Sequence, residues 1–167
     1  MRGMIRRYEG TKVRGYGKCV KQGLTLSLLA LGVVFALAGC DIETSHNGDL
    51  DGMWRLMAVD TLKTGGQLEL NEELRAWSFQ NKLLELRDHT GPYGAFLLRF
   101  EHKNKTLRTY QPYVFNRETG DYPLENAAYM APFGINELDE TFTIEELSDS
   151  RMQLRNGVLQ LQFRRLN

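Results

Sequence analysis

In this 167-residue chain, Cys40 is the side chain whose surroundings specify a chemical fate. It follows LTLSLLALGVVFALA, residues 24–38, a run of 15 residues without a charge, which is itself preceded by 23 residues holding seven Lys or Arg and one Glu. At about 1.5 Å of rise per residue the run is shorter than the roughly 20 residues a membrane span needs, and Ala38 and Gly39 supply small residues at its end. Residues 1–39 therefore read as a helical signal peptide removed before Cys40. The basic leader is long for such a segment, which points to translation starting at Val20 through a GTG-type codon. The second cysteine, Cys19, falls in the removed part, so Cys40 has no disulfide partner in the mature chain and its thiol is left for modification.

The remaining reactive side chains do not assemble into a catalytic set. His46, His89 and His102 fall in an N-terminal polar stretch, at a strand end and beside a turn, without the spacing of metal ligands or of a nucleophile and its base. Ser45, Ser78, Ser148 and Ser150 lack the Gly-x-Ser-x-Gly elbow. The pairs Glu72-Glu73, Asp139-Glu140 and Glu145-Glu146 read as solvated loops and outer strand faces. Asn47, Asp49, Asp51 and Gly52 suggest a calcium loop, but Ala58 stands where its closing Glu belongs. The expectation is a protein without enzymatic activity, metal or dissociable cofactor. Of 21 basic and 21 acidic residues, seven and one precede Cys40, so 14 and 20 remain and the mature chain carries a net charge of −6. That balance excludes nucleic acid as a partner, because phosphate contact requires clustered Lys and Arg.

Leu37-Ala38-Gly39-Cys40 resembles the lipobox of bacterial lipoproteins. The resemblance implies a diacylglycerol on the Cys40 thiol, cleavage before it, and an N-acyl chain such as palmitate on the new amino terminus. Two or three chains make a stable anchor at about 0.8 kcal/mol per buried methylene. Asp41 and Glu43, soon after the cysteine, resemble an export signal of gut-anaerobe lineages, which implies an outer-membrane anchor with its periplasmic or surface face left open. Residues 40–50 are polar and rich in small residues without an apolar period, and are expected to form a flexible lipidated tether to a single domain at 51–167.

The elements of that domain are strands. In RMQLRNGVLQLQFRR, residues 151–165, Asn156-Gly157 between alternating runs is a strong hairpin signal, and a two-residue turn pairs Leu154 with Leu159 and Met152 with Leu161. Asn81-Lys82 likewise sets Phe79 against Leu84 and Trp77 against Leu86. A hairpin around Lys103-Asn104 gathers Phe96, Leu98, Phe100, Leu107 and Thr109 on one face. With Met53–Val59 and Phe142–Leu147 these make eight antiparallel strands, whose edges are best removed by closure into an up-and-down barrel. A two-sheet sandwich obeys the same alternation.

Gly52-Met53-Trp54 at the head of these strands, 12 residues after Cys40, resembles the Gly-x-Trp motif of lipocalins, and the last strand ends in Arg164-Arg165. The whole is similar to the lipocalin-like lipoproteins of Gram-negative gut anaerobes, many of them domains of unknown function. The resemblance implies that Arg165 stacks on Trp54 at the barrel floor. It also implies a small apolar or amphipathic ligand held by Trp77, Phe79, Phe96 and Phe100, with Tyr129 or Phe133 closing over it. The alternative is a rigid head that docks an envelope protein or glycan through its loops. Residues 116–140 depart from the simplest members, and their aromatic residues suit a lid, a docking surface or a plug in the barrel mouth.

Overall fold

The structure, a computed structural model, describes residues 45–166. Ten antiparallel strands follow a short 3₁₀ turn at Gly48–Leu50: β1 (Gly52–Thr61), β2 (Gln67–Glu69), β3 (Arg75–Gln80), β4 (Leu83–Asp88), β5 (Ala95–Lys103), β6 (Thr106–Val114), β7 (Tyr122–Pro123), β8 (Glu140–Leu147), β9 (Arg151–Arg155) and β10 (Leu159–Leu166). Eight of them run in the order β10-β9-β8-β6-β5-β4-β3-β1, and β10 pairs back onto β1, so the sheet closes. The result is an eight-stranded up-and-down barrel, and the sandwich is excluded. β2 and β7 are short additions hydrogen-bonded to β1 and β6.

Closure follows from alternation. Each long strand turns one set of residues inward, and these form one apolar core that includes Trp54, Trp77, Phe79, Leu84, Leu86, Phe100, Leu107, Phe142, Leu154 and Leu161. The register of β3 and β4 is the expected one, with Trp77 opposite Leu86 and Phe79 opposite Leu84, and Asn81 takes the left-handed conformation of the turn at φ 55°. Two other hairpins are displaced by two residues. Lys103 pairs with Thr106, which puts the turn at Asn104-Lys105 with Asn104 at φ 54°. Leu154 pairs with Leu161 and Met152 with Phe163, which puts the last turn at Gly157-Val158. There the Asn156 side chain accepts hydrogen bonds from the amides of Val158 and Leu159, so Asn156 acts through its side chain rather than through positive φ. A two-residue slip keeps every side chain on its own face, which is why the inward sets were foreseen although these registers were not.

Three bulges adjust the inward parity. One extra residue lies in β1 between Leu56 and Ala58, one in β8 between Ile144 and Glu146, and one in β6 opposite Leu97–Arg99. The last contains Gln111 at φ 51°, and it turns Pro112 inward where unbroken alternation from Thr109 would have placed Gln111.

The strands alternate in direction, so the barrel has two distinct ends. The N-terminal segment, the turns at 81–82, 104–105 and 148–150, and the C-terminus share one end, the floor. The longer connections, 62–74, 89–94 and 115–139, share the other, the mouth. At the floor, the Arg165 guanidinium lies over the Trp54 ring, 4.5 Å from its centroid, and donates to the carbonyls of Asp51 (2.7 Å) and Asp49. Trp54 is fully buried and donates its indole N–H to Leu50 O at 2.9 Å. Gly52 explains the first residue of the motif: it sits at φ +113°, and a Cβ there would come 3.1 Å from Arg165 Nη1. Arg165→Lys keeps the charge but loses the planar fork, and is expected to cost about 1–2 kcal/mol in urea unfolding with an unchanged slope.

The stretch expected as a tether, residues 40–50, falls partly within the described residues. Cys40 and residues 41–44 lie outside the described residues, as do the signal peptide and Val20, but Ser45–Leu50 is docked. Ser45 Oγ and Asn47 hydrogen-bond the Asp51 carboxylate, Asn81 N donates to Ser45 Oγ at 2.8 Å, and Asn47 Nδ2 donates to Asn81 O at 2.8 Å. Small polar residues here bind backbone and carboxylate groups of the barrel, and Leu50 is buried completely. Burial raises the Asp51 carboxyl, but the hydrogen bonds from Ser45 and Asn47 outweigh it and hold the group below its ordinary value.

Candidate functional site

The site that lipocalin resemblance locates inside the barrel is occupied by the chain itself. Asn126 caps a 3₁₀ helix, Ala127–Phe133, by accepting from Ala128 N, and Gly134 ends it in the left-handed conformation at φ 86°. In a 3₁₀ helix residues three apart share a face. Met130 and Phe133 are thus both fully buried, Ala127 packs against the core beside them, and Tyr129 points away with 63% of its surface exposed. Of the two residues expected to close over the barrel, Tyr129 or Phe133, it is Phe133 that turns inward, together with Met130. The helical turn covers 127–133. Pro132 is accommodated inside it, because a proline near a short helix's end forfeits little hydrogen bonding.

The segment is seated as a plug. Trp77 Nε1 donates to Phe133 O at 3.1 Å, and Arg75, buried at the start of β3, donates from Nη1 to Pro132 O at 3.0 Å. The Phe133 ring meets Phe96 edge-on at 5.9 Å. Trp77 in turn contacts Phe79, Phe142 and Phe163 at centroid distances of 6.2, 5.9 and 5.1 Å, and Phe79 meets Phe100 at 5.1 Å. Five of the six residues expected to touch ligand, Trp77, Phe79, Phe96, Phe100 and Phe133, therefore lie together in one aromatic column, and they contact one another. Edge-to-face pairs of this kind contribute about 0.5–1.5 kcal/mol each beyond area burial.

Glu140 fastens the plug's trailing end. Its carboxylate accepts from Asn136 N (2.7 Å), Glu137 N (3.3 Å) and the Asn156 side chain. Burial nevertheless prevails over these bonds and pushes the carboxyl above its ordinary value. A carboxyl that holds its proton more tightly when folded contributes stability that is complete below its unfolded pKa and is lost as pH rises through the folded one. Glu140→Gln should remove that slope. It also leaves the Asn156 amide facing another amide donor, an offset of about 1 kcal/mol. Urea unfolding from pH 4 to 8 checks this, with Asp51 producing the opposite slope at the acid end.

The outer wall offers a different site. Two open clefts of about 370 and 350 Å³ share Arg99 and Gln111. Lys82, Glu101 and Tyr110 line the first, and Leu83, Leu97 and Tyr113 the second. Leu83 and Tyr113 are each 41% exposed, and Tyr122 on neighbouring β7 is 50% exposed. The Gln111 bulge separates the clefts. Sequence reading missed this wall, although Pro112 inside an alternating run is a signal for a bulge.

The remaining reactive side chains stay dispersed. His89 follows β4 at the mouth, His102 lies in β5 near the floor with Nε2 3.1 Å from Asn104 O, and His46 lies in the docked N-terminal segment. Among the described residues no group of three or more His, Cys, Asp or Glu is placed to hold a metal ion, and no helix is long and apolar enough to cross a membrane.

A closed eight-stranded antiparallel barrel with a 3₁₀ turn under its floor tryptophan and an Arg across it defines a lipocalin-like architecture. The chain belongs to the lipocalin-like domain family, whose model matches residues 35–166. It is similar to the crystal structure of a lipocalin-like protein from Bacteroides uniformis, with 21% identity and a TM-score of 0.54 over 71% of this chain and 100% of that one. It is also similar to an uncharacterized protein from Bacteroides eggerthii, with 18% identity and a TM-score of 0.52 over 70% of this chain and 99% of that one. No curated protein matches the chain.

Proposed function

We propose that this protein is a non-enzymatic lipoprotein head, held in the outer membrane through acylated Cys40, that docks another envelope protein on its outer wall. The observation that carries the reading is the plug: Phe133, with its carbonyl bound by Trp77, occupies the mouth through which cargo would enter. A barrel mouth occupied by its own chain suits a rigid scaffold, since binding surfaces on preformed elements lose little freedom on association. The Arg99–Gln111 wall supplies exposed Tyr, Leu and Arg side chains, and Tyr and Arg are enriched among residues that dominate binding energies.

A photo-crosslinking residue at Tyr113 in the full chain, expressed in its own type of envelope, is expected to give a discrete adduct that Arg99→Glu abolishes. Native mass spectrometry of the same protein decides against docking if it shows a stoichiometric small apolar molecule that is lost when Trp77 or Phe100 is made polar. That outcome belongs to a second reading, a ligand carrier, favoured by the continuous aromatic column from Phe100 through Phe79 to Trp77. In a carrier the ligand takes the volume of Phe133 and Met130 after the plug withdraws.

A further inference from the structure

The floor of the barrel carries a charge pattern that the docking wall shares only at Lys82, which lines its first cleft. Only four lysines follow Cys40, and three of them, Lys82, Lys103 and Lys105, lie on or beside the two neighbouring turns that join β3 to β4 and β5 to β6. All three are exposed, and Lys103 has 80% of its side chain free while it pairs loosely with Glu101 at 3.7 Å. The mouth is more acidic. Residues 116–140, which connect β6 to β8 there, hold six carboxylates and one arginine. Of these carboxylates Asp139 pairs with Arg108 and Glu140 is buried, while Lys63 lies on the 62–74 connection. A domain from a chain with mature net charge −6 thus has three of its four lysines gathered at one end and an acidic connection at the other. Two carboxylates sit among the lysine turns, Asp51 through Ser45 and Asn47 on Asn81 and Glu101 on Lys103, while Asp49 and Asp149 lie at the floor beside β1 and the β8–β9 turn.

The N-terminal segment joins the domain at this end. Ser45 and Asn47 are pinned to Asn81, immediately beside Lys82. Only five Cα-to-Cα steps separate Ser45 from Cys40, so the two lie within roughly 18 Å of each other however the intervening residues are arranged. We propose that the lysine-bearing half of the floor rests on anionic lipid headgroups and that the acidic mouth points away from the membrane. This inference rests on acylation of Cys40. Each surface lysine adds attraction to an anionic bilayer that salt screens within a Debye length of about 10 Å at 0.1 M. The short linker supplies the high local concentration that makes such weak contacts effective.

The test uses the acylated full chain, purified from its envelope and placed in vesicles of phosphatidylethanolamine and phosphatidylglycerol with headgroup nitroxide lipids. Fluorophores are attached through Thr106→Cys at the floor or Glu118→Cys at the mouth. Quenching at residue 106 is expected to exceed that at 118 by about threefold or more, and to fall to the level at 118 in phosphatidylcholine vesicles or with K82E/K103E/K105E, while the protein still floats with the vesicles. A chain that does not co-float overturns the Cys40 anchor. A chain that floats but is quenched equally at both positions overturns the orientation and leaves the anchor standing.

Discussion

Phe133→Ala is expected to destabilise the protein by about 3–5 kcal/mol, the usual cost of removing a fully buried aromatic ring from a packed core. Phe133 has no exposed surface, and its ring fills the space between Phe96 and the mouth. Its carbonyl still meets the Trp77 indole in the variant, so the loss is one of packing and the plug has reason to stay seated. Thermal unfolding measures the cost, and a solvatochromic apolar dye separates the two functional readings. In a scaffold the alanine variant leaves a dry void that takes up dye only in the variant. In a carrier the wild type already binds dye, and the variant binds it more tightly.

Gly134→Ala is expected to cost about 2–4 kcal/mol, from two effects that act on one atom. At φ +86° an L side chain is strained, and the added Cβ would lie 2.5 and 2.9 Å from the two methyls of Leu161. Leu161 is itself fully buried opposite Leu154, so its side chain has nowhere to retreat. The strain therefore falls on the plug's exit from its 3₁₀ helix. Chemical denaturation measures the loss, and hydrogen exchange should show it concentrated at Ile135 N, which donates to Met130 O at 3.4 Å in the native protein.

What the sequence made legible was governed by alternation. Trp77, Phe79, Leu84 and Leu86 could be assigned to one face and paired, because a one-residue slip would have put the two leucines on the opposite face from the two aromatics. Arg165 could be placed over Trp54 because the lipocalin resemblance implies an arginine across the floor tryptophan, and alternation from Phe163 chooses Arg165 over Arg164. The turns at Asn104-Lys105 and Gly157-Val158 were not legible, since a displacement of two residues leaves every apolar side chain where it was. The inside of the barrel was harder still. Nothing in the spacing of Tyr129, Met130 and Phe133 distinguishes an α-helical turn from a 3₁₀ one, and that difference decides which of them enters the mouth. Gly134 directly after Phe133 was the available clue, as a glycine that ends a helix. Ser45 and Asn47 gave no local sign of docking, because their partners, Asp51 and Asn81, include a turn that only the closed fold brings near.

The pairing of β1 with β10 has a consequence for how the protein is made. Its register joins Met53 to Leu166 and Trp54 to Arg165, contacts between residues more than 100 positions apart. Loops of that length must be closed before these contacts contribute, so formation of the native state belongs among slow, topology-limited reactions of milliseconds to seconds. The first strand to leave the ribosome waits for the last. Until residues 159–166 arrive, β1 lacks that neighbour and the floor lacks the arginine that covers Trp54. Loss of residues 159–166 would accordingly expose an edge along the whole first strand, a far larger injury than the length of the deletion suggests.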